Sequence, residues 1–344
     1  MGKKLGFLIT MLLLFLLAST AIGQQGDKFP QPAVCSGIPK GELTTQMLTV
    51  RGHQLAVAEA GDPMGFPVFY AHGNPGSRLE LALLDRDARR FGYRIIAFDR
   101  PGFGQSPFIK PYSLKDFAED LAALADLKKI ARFGLIGWSS GVPPVIATSY
   151  YYPQRVEFTF AISGYTDFSR FPDAQQFMAD KGLPGAKLAQ NHPMAFSLTV
   201  WGVRRADLHR PDFYLREAVK KMSPFDRRML DSPESSCLFM RTQQEGLRQG
   251  SDGAVQDLKV QWQQWGFEMS EVKNPIQIVQ GDADTFVPEA FGRHLAANLA
   301  NGRLQLLAGN GHLVPFSSDF REEMFSQARQ LQKISLAKEE NSKR

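Results

Sequence analysis

Short apolar runs alternate with helix-spaced patterns along most of this chain. Residues 45–50 and 54–60 carry β-prone residues on either side of a short turn and predict a hairpin. Residues 67–71, 94–98, 133–136 and 158–162 are near-continuous apolar runs, the pattern of short strands buried on both faces. Between them, residues 79–91 and 114–129 place apolar side chains at spacings of three and four and predict helices, as does 142–151. Strands alternating with helices imply a mostly parallel sheet covered on both faces, with ligands bound beyond the carboxyl ends of its strands. The rhythm breaks over residues 164–272, where charges are mixed and no strand pattern stands out, so this stretch reads as a helical insertion. It then resumes with a strand at 275–280, a helix at 289–299, a strand at 303–307 and a closing helix at 320–332. Interruption followed by resumption predicts one sheet domain, 43–163 and 273–333, with a lid at 164–272; two separate domains are the competing arrangement.

The ends of the chain read differently. Lys3 and Lys4 precede an uncharged, leucine-rich stretch and then small residues up to Gly23, the layout of a secretory signal peptide over residues 1–23. The expectation is an exported protein, periplasmic or secreted; the same stretch is just long enough to serve as an uncleaved membrane anchor. Residues 24–42 read as an irregular lead-in and 334–344 as a polar tail. Cys35 and Cys237 are the only cysteines, and a pair this far apart in sequence is equally compatible with one disulfide or two free thiols. With 344 residues, 43% of them hydrophobic, the chain can bury a large core. Its formal charge of +5 falls to about +3 without the first two lysines, too small an excess to argue for a nucleic-acid partner. A run of basic residues from Arg204 to Arg228 reads as a solvated helix face, with an anionic substrate as the sharper alternative.

Candidate chemistry centres on Gly137-Trp138-Ser139-Ser140-Gly141, a G-x-S-x-G sequence lying between a predicted strand and a predicted helix. A serine held on so sharp a turn needs very small neighbours two positions away on each side, which Gly137 and Gly141 supply. A serine hydroxyl also needs a base and a carboxylate to orient that base. His312, just after the last predicted strand, is the best-placed base among six histidines; His53, His192, His209 and His294 fall in the hairpin, the insertion or a helix pattern, and His72 has a different setting. Asp284, following the strand at 275–280, is the candidate carboxylate, with Asp282 and Asp167 as rivals. No cysteine–histidine cluster, acidic ligand motif or glycine-rich phosphate loop calls for a metal or nucleotide, and no cofactor is expected.

Five motifs in order carry a resemblance. His72-Gly73-Asn74-Pro75-Gly76-Ser77 resembles H-G-x-P-G; residues 99–106 resemble D-x-P-G-x-G-x-S; the serine turn, Gly281 to Pro288 (like G-x-x-D-x-x-V-P) and Gly311-His312 follow. On these the chain resembles the α/β-hydrolase superfamily over residues 43–333, in the branch with a helical cap inserted after the sixth strand. The resemblance implies Ser139 as nucleophile, His312 as general base and acid, Asp284 as its orienting partner, and the backbone N–H groups of Asn74 and Ser140 as the oxyanion hole. A serine at the turn speaks against the dehalogenase and epoxide hydrolase branches. Trp138 before it, with Ser140-Gly141-Val142 after it, departs from the pattern common among the carbon–carbon hydrolases, and the lipase-type H-G-G-G segment is absent.

The expectation is therefore a cofactor-independent serine hydrolase that acts on a carboxylic ester or similar small acyl substrate through an acyl-enzyme. Amidase, lactonase, aminopeptidase-like and carbon–carbon hydrolase activities use the same residues and stay open, as does a non-catalytic binding protein that keeps the fold. No nucleic-acid partner is expected, and membrane contact only if the N-terminal segment is retained. Oligomeric state is not legible in the sequence.

Overall fold

A computed structural model describes residues 31–37 and 43–342. The expected signal segment, 1–23, and most of the lead-in lie outside the described residues. Eight strands form one sheet: β1 (Thr45–Val50), β2 (His53–Gly61), β3 (Phe66–Ala71), β4 (Tyr93–Phe98), β5 (Phe133–Trp138), β6 (Val156–Ile162), β7 (Ile276–Gly281) and β8 (Gly302–Leu307). Their order is β1-β2-β4-β3-β5-β6-β7-β8, with β1–β2 and β2–β4 antiparallel and every other pairing parallel. From β3 the chain lays β4 on one side, then crosses back to lay β5 on the other. The connections leaving β3 and β5 thus diverge at a topological switch point, where a crevice opens beyond the strand ends.

Alternation along the strands explains why the sheet needs cover on both faces. In β4, Ile95 and Ala97 join one buried cluster and Ile96 and Phe98 another; in β3, Val68 and Tyr70 separate from Phe69 and Ala71 in the same way. The first face packs against α1 (Asp85–Phe91) and the closing helix, through Ala88, Phe320, Met324 and Phe325. The second packs against α2 (Leu114–Leu127), with Phe117, Leu121 and Leu124, and against Val145 of α3 (Val142–Tyr151). Every residue of β5 and β7 is buried, including Gln277 and Gln280 of β7, as expected of strands covered on both faces.

Between β6 and β7 lie seven helices: α4 (Ala174–Asp180), α5 (Gly185–Asn191), α6 (Pro193–His209), α7 (Pro211–Lys221), α8 (Pro224–Met229), α9 (Pro233–Gly246) and α10 (Asp252–Gln261). Tyr165, Phe168, Met178, Phe196 and Trp262 form their own apolar cluster, which reaches the sheet domain through Val287 and Phe291 of α11 (Glu289–Asn298) and the turn before it. Part of the basic run is engaged by backbone carbonyls: the half-buried Arg204 donates to those of Leu247 and Arg248, and the exposed Arg227 to those of Val219, Lys220 and Met222. No helix among the described residues is long and apolar enough to cross a membrane.

Two boundaries differ from the expected ones. The segment 79–91 is not one helix but a 3-10 turn, Arg78–Leu83, followed by α1. Ser77 caps that turn by accepting from Leu79 N, and the tighter winding buries Arg78, Glu80 and Leu81 together, which a solvated helix face would not do. The closing helix, α12 (Ser318–Ser342), runs through most of the stretch expected to be a tail. Cys35 and Cys237 are joined in a disulfide, tying the 3-10 turn Ala33–Cys35 to α9 across 202 residues of sequence. Replacing both cysteines by serine should lower unfolding free energy by about 2–5 kcal/mol. Denaturant unfolding of the variant and the oxidised parent checks this; coincident curves would show the cross-link contributes nothing to stability.

Candidate active site

The chain leaves β5 at Trp138 and turns at Ser139, whose φ of +55° lies in the left-handed region that non-glycine residues rarely occupy. Crowding holds it there. A Cβ on Gly137 would sit 2.4 Å from Gly141 O, and one on Gly141 only 2.0 Å from Ala71 O. A larger residue at 141 would push the turn off the end of β3, and one at 137 would collide with the turn itself, in line with the need for small residues at both positions. The 3-10 turn Ser139–Gly141 then feeds α3, with Pro143 and Pro144 in a first turn that needs no N–H from them. Ser139 is 7% exposed.

His312 follows β8 and is tied down from three sides. Its Nδ1 lies 2.8 Å from Asp284 Oδ2. Its carbonyl accepts from Trp138 Nε1 at 3.0 Å, with the two rings 5.6 Å apart, so the residue beside Ser139 also anchors the histidine. The next backbone N–H, from Leu313, donates to Asp226 Oδ1 at 2.7 Å, which brings α8 under the same loop. Gly311 makes that approach feasible, since a Cβ there would fall 2.2 Å from Ser223 Oγ. Asp284 is itself oriented: Oδ1 accepts from the Phe286 and Val287 N–H groups at 2.8 and 2.9 Å. Its rivals are otherwise engaged. Asp282 accepts from Gly309 N, bracing the turn, and Asp167 accepts from Ser169 and Trp265.

Burial alone would lower the basicity of the His312 imidazole. The Asp284 carboxylate outweighs it, helped by Asp226 and Glu80, and holds the group above its ordinary value near 6.5. Because Asp284 occupies Nδ1, the neutral ring carries its proton there and leaves Nε2 as a free base.

The loop after β3, residues 72–77, emerges beside the serine turn because Ala71 pairs with Gly137 in the sheet. His72 is buried and, by its burial and the Arg100 charge, kept well below its usual range; as a neutral ring it bonds Gly73 O and accepts from Arg100 N. Arg100 donates to the His72 and Gly73 carbonyls and pairs with Asp257 of α10 at 2.8 Å. The Asn74 side-chain amide is committed to Asp257 Oδ2 and Ala254 O, so it is not a free donor and only the backbone N–H remains. Gln261 of α10 donates to Ser140 O at 2.8 Å.

Four of these groups were not foreseen from the sequence: Glu80, Asp226, Asp257 and Gln261 each lie in a helical or turn segment where a polar residue reads as solvated. Chemically the arrangement offers an oriented imidazole base and a hydroxyl at the start of a helix. A separate cavity of about 460 Å³ among α4, α5 and α10, lined by Phe168, Gln190, Lys259 and Trp262, has neither Ser139 nor His312 in its wall.

The family model described as alpha/beta hydrolase fold matches residues 67–319. Over 229 residues, 64% of this chain and 70% of the other, the protein is 29% identical to a 2-hydroxy-6-oxononadienedioate/2-hydroxy-6-oxononatrienedioate hydrolase of Burkholderia vietnamiensis. A putative proline iminopeptidase of Mycoplasma pneumoniae is 33% identical over 112 residues, 32% of this chain and 36% of that one. Among solved structures, an esterase from Exiguobacterium antarcticum shares the fold with a TM-score of 0.62 at 17% identity, over 84% of this chain and all of that one.

An imidazole NMR titration should place the His312 midpoint above 6.5, and Asp284→Asn should bring it down. The contribution to stability from protonated His312 is complete below about 6.5, the unfolded value, and is lost as pH rises through the folded midpoint. A midpoint at or below 6.5 in the parent protein would mean that burial, not Asp284, dominates.

Proposed function

The chain belongs to the alpha/beta hydrolase fold family, and on that premise we propose that it cleaves a carboxylic ester or a similar small acyl substrate through a covalent acyl-enzyme on Ser139. It is a hydrolase of small substrates. The observation that most supports the finer reading is the 2.8 Å bond between His312 Nδ1 and Asp284 Oδ2, which leaves Nε2 free at the strand ends where the Ser139 turn also emerges.

In the proposed cycle, Ser139 Oγ attacks the acyl carbon as its proton passes to His312 Nε2, and Asp284 steadies the imidazolium. The carbonyl oxygen, now an anion, takes hydrogen bonds from the Ser140 and Asn74 N–H groups; the first of these also begins a helix, whose partial positive charge favours it. The ester C–O bond breaks, the alcohol leaves with the proton from His312, and the acyl group stays on Ser139. A water then gives its proton to His312 and attacks the acyl carbon; Ser139 recovers the proton as the acid departs. The Asn74 side chain takes no part, being held by Asp257.

A second reading, hydrolysis of a carbon–carbon bond by the same residues, is favoured by the likeness to a hydrolase named for an oxononadienedioate. Rates on p-nitrophenyl esters, lactones, amides and dienedioate-type substrates separate the two.

Ser139→Ala and His312→Ala should each abolish hydrolysis and leave the protein folded, with fluorophosphonate labelling lost in the first. Asp284→Asn should cost on the order of 10⁴-fold in turnover. Labelling of the parent anywhere but Ser139, or unimpaired turnover in Ser139→Ala, would overturn the reading.

A further inference from the structure

Glu80 is a buried acid with no part in the cycle above. It is 1% exposed, on the 3-10 turn that follows the loop at 72–77. Its Oε2 accepts from Tyr70 OH at 2.7 Å and from Gly73 N at 3.1 Å. Gly76 is fitted to the carboxylate, since a Cβ there would lie 2.2 Å from Oε1; Gly73 lies between this acid and the serine turn, where a Cβ would stand 3.6 Å from Oε1 and 3.7 Å from Ser139 Cβ. The loop that carries the Asn74 N–H is therefore fastened from beneath by this acid and from above, through Asn74 and Arg100, by Asp257.

A neutral acceptor could brace Gly73 N–H without the cost of burying a charge. The charged and titratable groups that face Glu80 are Tyr70 from β3, Arg100 from the loop after β4 and His312 from the loop after β8. His312 feels Glu80 in return, as one of the negative charges that raise its basicity.

We propose that Glu80 is a positioning residue for the serine chemistry proposed above, on which this inference rests. Its carboxylate fixes the loop that presents the Asn74 N–H to Ser139, and its negative charge favours the imidazolium that His312 becomes when Ser139 releases its proton. Burial pushes Glu80 up to about 7 against the opposing pull of Tyr70, Gly73 N–H, Arg100 and His312, and because each group feels the other's charge the two titrations are coupled.

Two variants test this, read by the pH dependence of kcat/KM. Glu80→Gln keeps the shape and removes the charge. Turnover should fall on the order of 10²-fold, in kcat more than in KM, and the acid limb should move to lower pH because His312 loses a negative neighbour. Tyr70→Phe withdraws a donor from the carboxylate, so Glu80 holds its proton to higher pH; because the active form needs Glu80 ionised as well as His312 neutral, the limb should here follow Glu80 and move up. A group that merely packs the loop would not displace the limb in opposite directions. Acid limbs at the parent position in both variants, or a loss in Glu80→Gln confined to KM, overturns the inference. Thermal unfolding reports whether each variant folds, and Tyr70→Phe carries the test alone if Glu80→Gln does not. Should fluorophosphonate fail to label Ser139 in the parent, the serine reading falls. The Glu80 charge would still be read by imidazole NMR: a His312 midpoint unchanged in Glu80→Gln would sink the inference as well.

Discussion

The carboxyl ends of β3 and β5 approach so closely that no side chain fits between the serine turn and Ala71 O. From this one constraint the rest of the site follows. With Gly137 and Gly141 packed against neighbouring backbone, the chain can leave β5 only by a sharp reversal, and Ser139 takes up a conformation it would not choose in isolation. Such strain is of order 1–3 kcal/mol and persists only where the surroundings over-determine it. Here they do: buried β5 on one side, α3 on the other, and the loop after β3 across the top.

Around that turn the inserted helices act as part of the scaffold. Asp226 on α8 receives the N–H after His312, Asp257 on α10 grips Arg100 and Asn74, and Gln261 grips Ser140 O. The Arg100–Asp257 pair is nearly dry, with side chains 3% and 12% exposed. Pairs so buried add little net stability, yet losing one partner strands a charge at a cost of about 3–5 kcal/mol. Their value lies in geometry. They couple the position of the insertion to that of the backbone around Ser139, so displacing α10 would disturb the Asn74 loop and the Ser140 carbonyl together.

Charge in the site is arranged around one base. Three carboxylates, on Asp284, Asp226 and Glu80, raise the basicity of His312 while burial opposes them. The imidazole of His72 is instead held neutral by its burial, with the Arg100 charge acting in the same direction, as a hydrogen-bonding member of the loop. Two histidines at the ends of two strands of one sheet thus receive opposite electrostatic treatment, decided by which charged side chain lies beside each.

Much of this was legible in the sequence, because much of it is local. Strand periodicity, the glycines flanking Ser139, the prolines that open α3 and the order of serine, aspartate and histidine along the chain all express constraints acting over a few residues. They foretold the eight strands and their mostly parallel sheet. The tertiary structure alone decided the rest: that Asp284, not Asp282 or Asp167, meets His312; that Cys35 joins Cys237; that the Asn74 amide is taken by Asp257; that Glu80 is buried under a loop rather than solvated on a helix. Each of these depends on the distance between segments brought together by packing, from a few residues to about two hundred apart. A hydrogen bond or a disulfide is fixed by tenths of an ångström, whereas a hydrophobic pattern specifies only which face of an element turns inward.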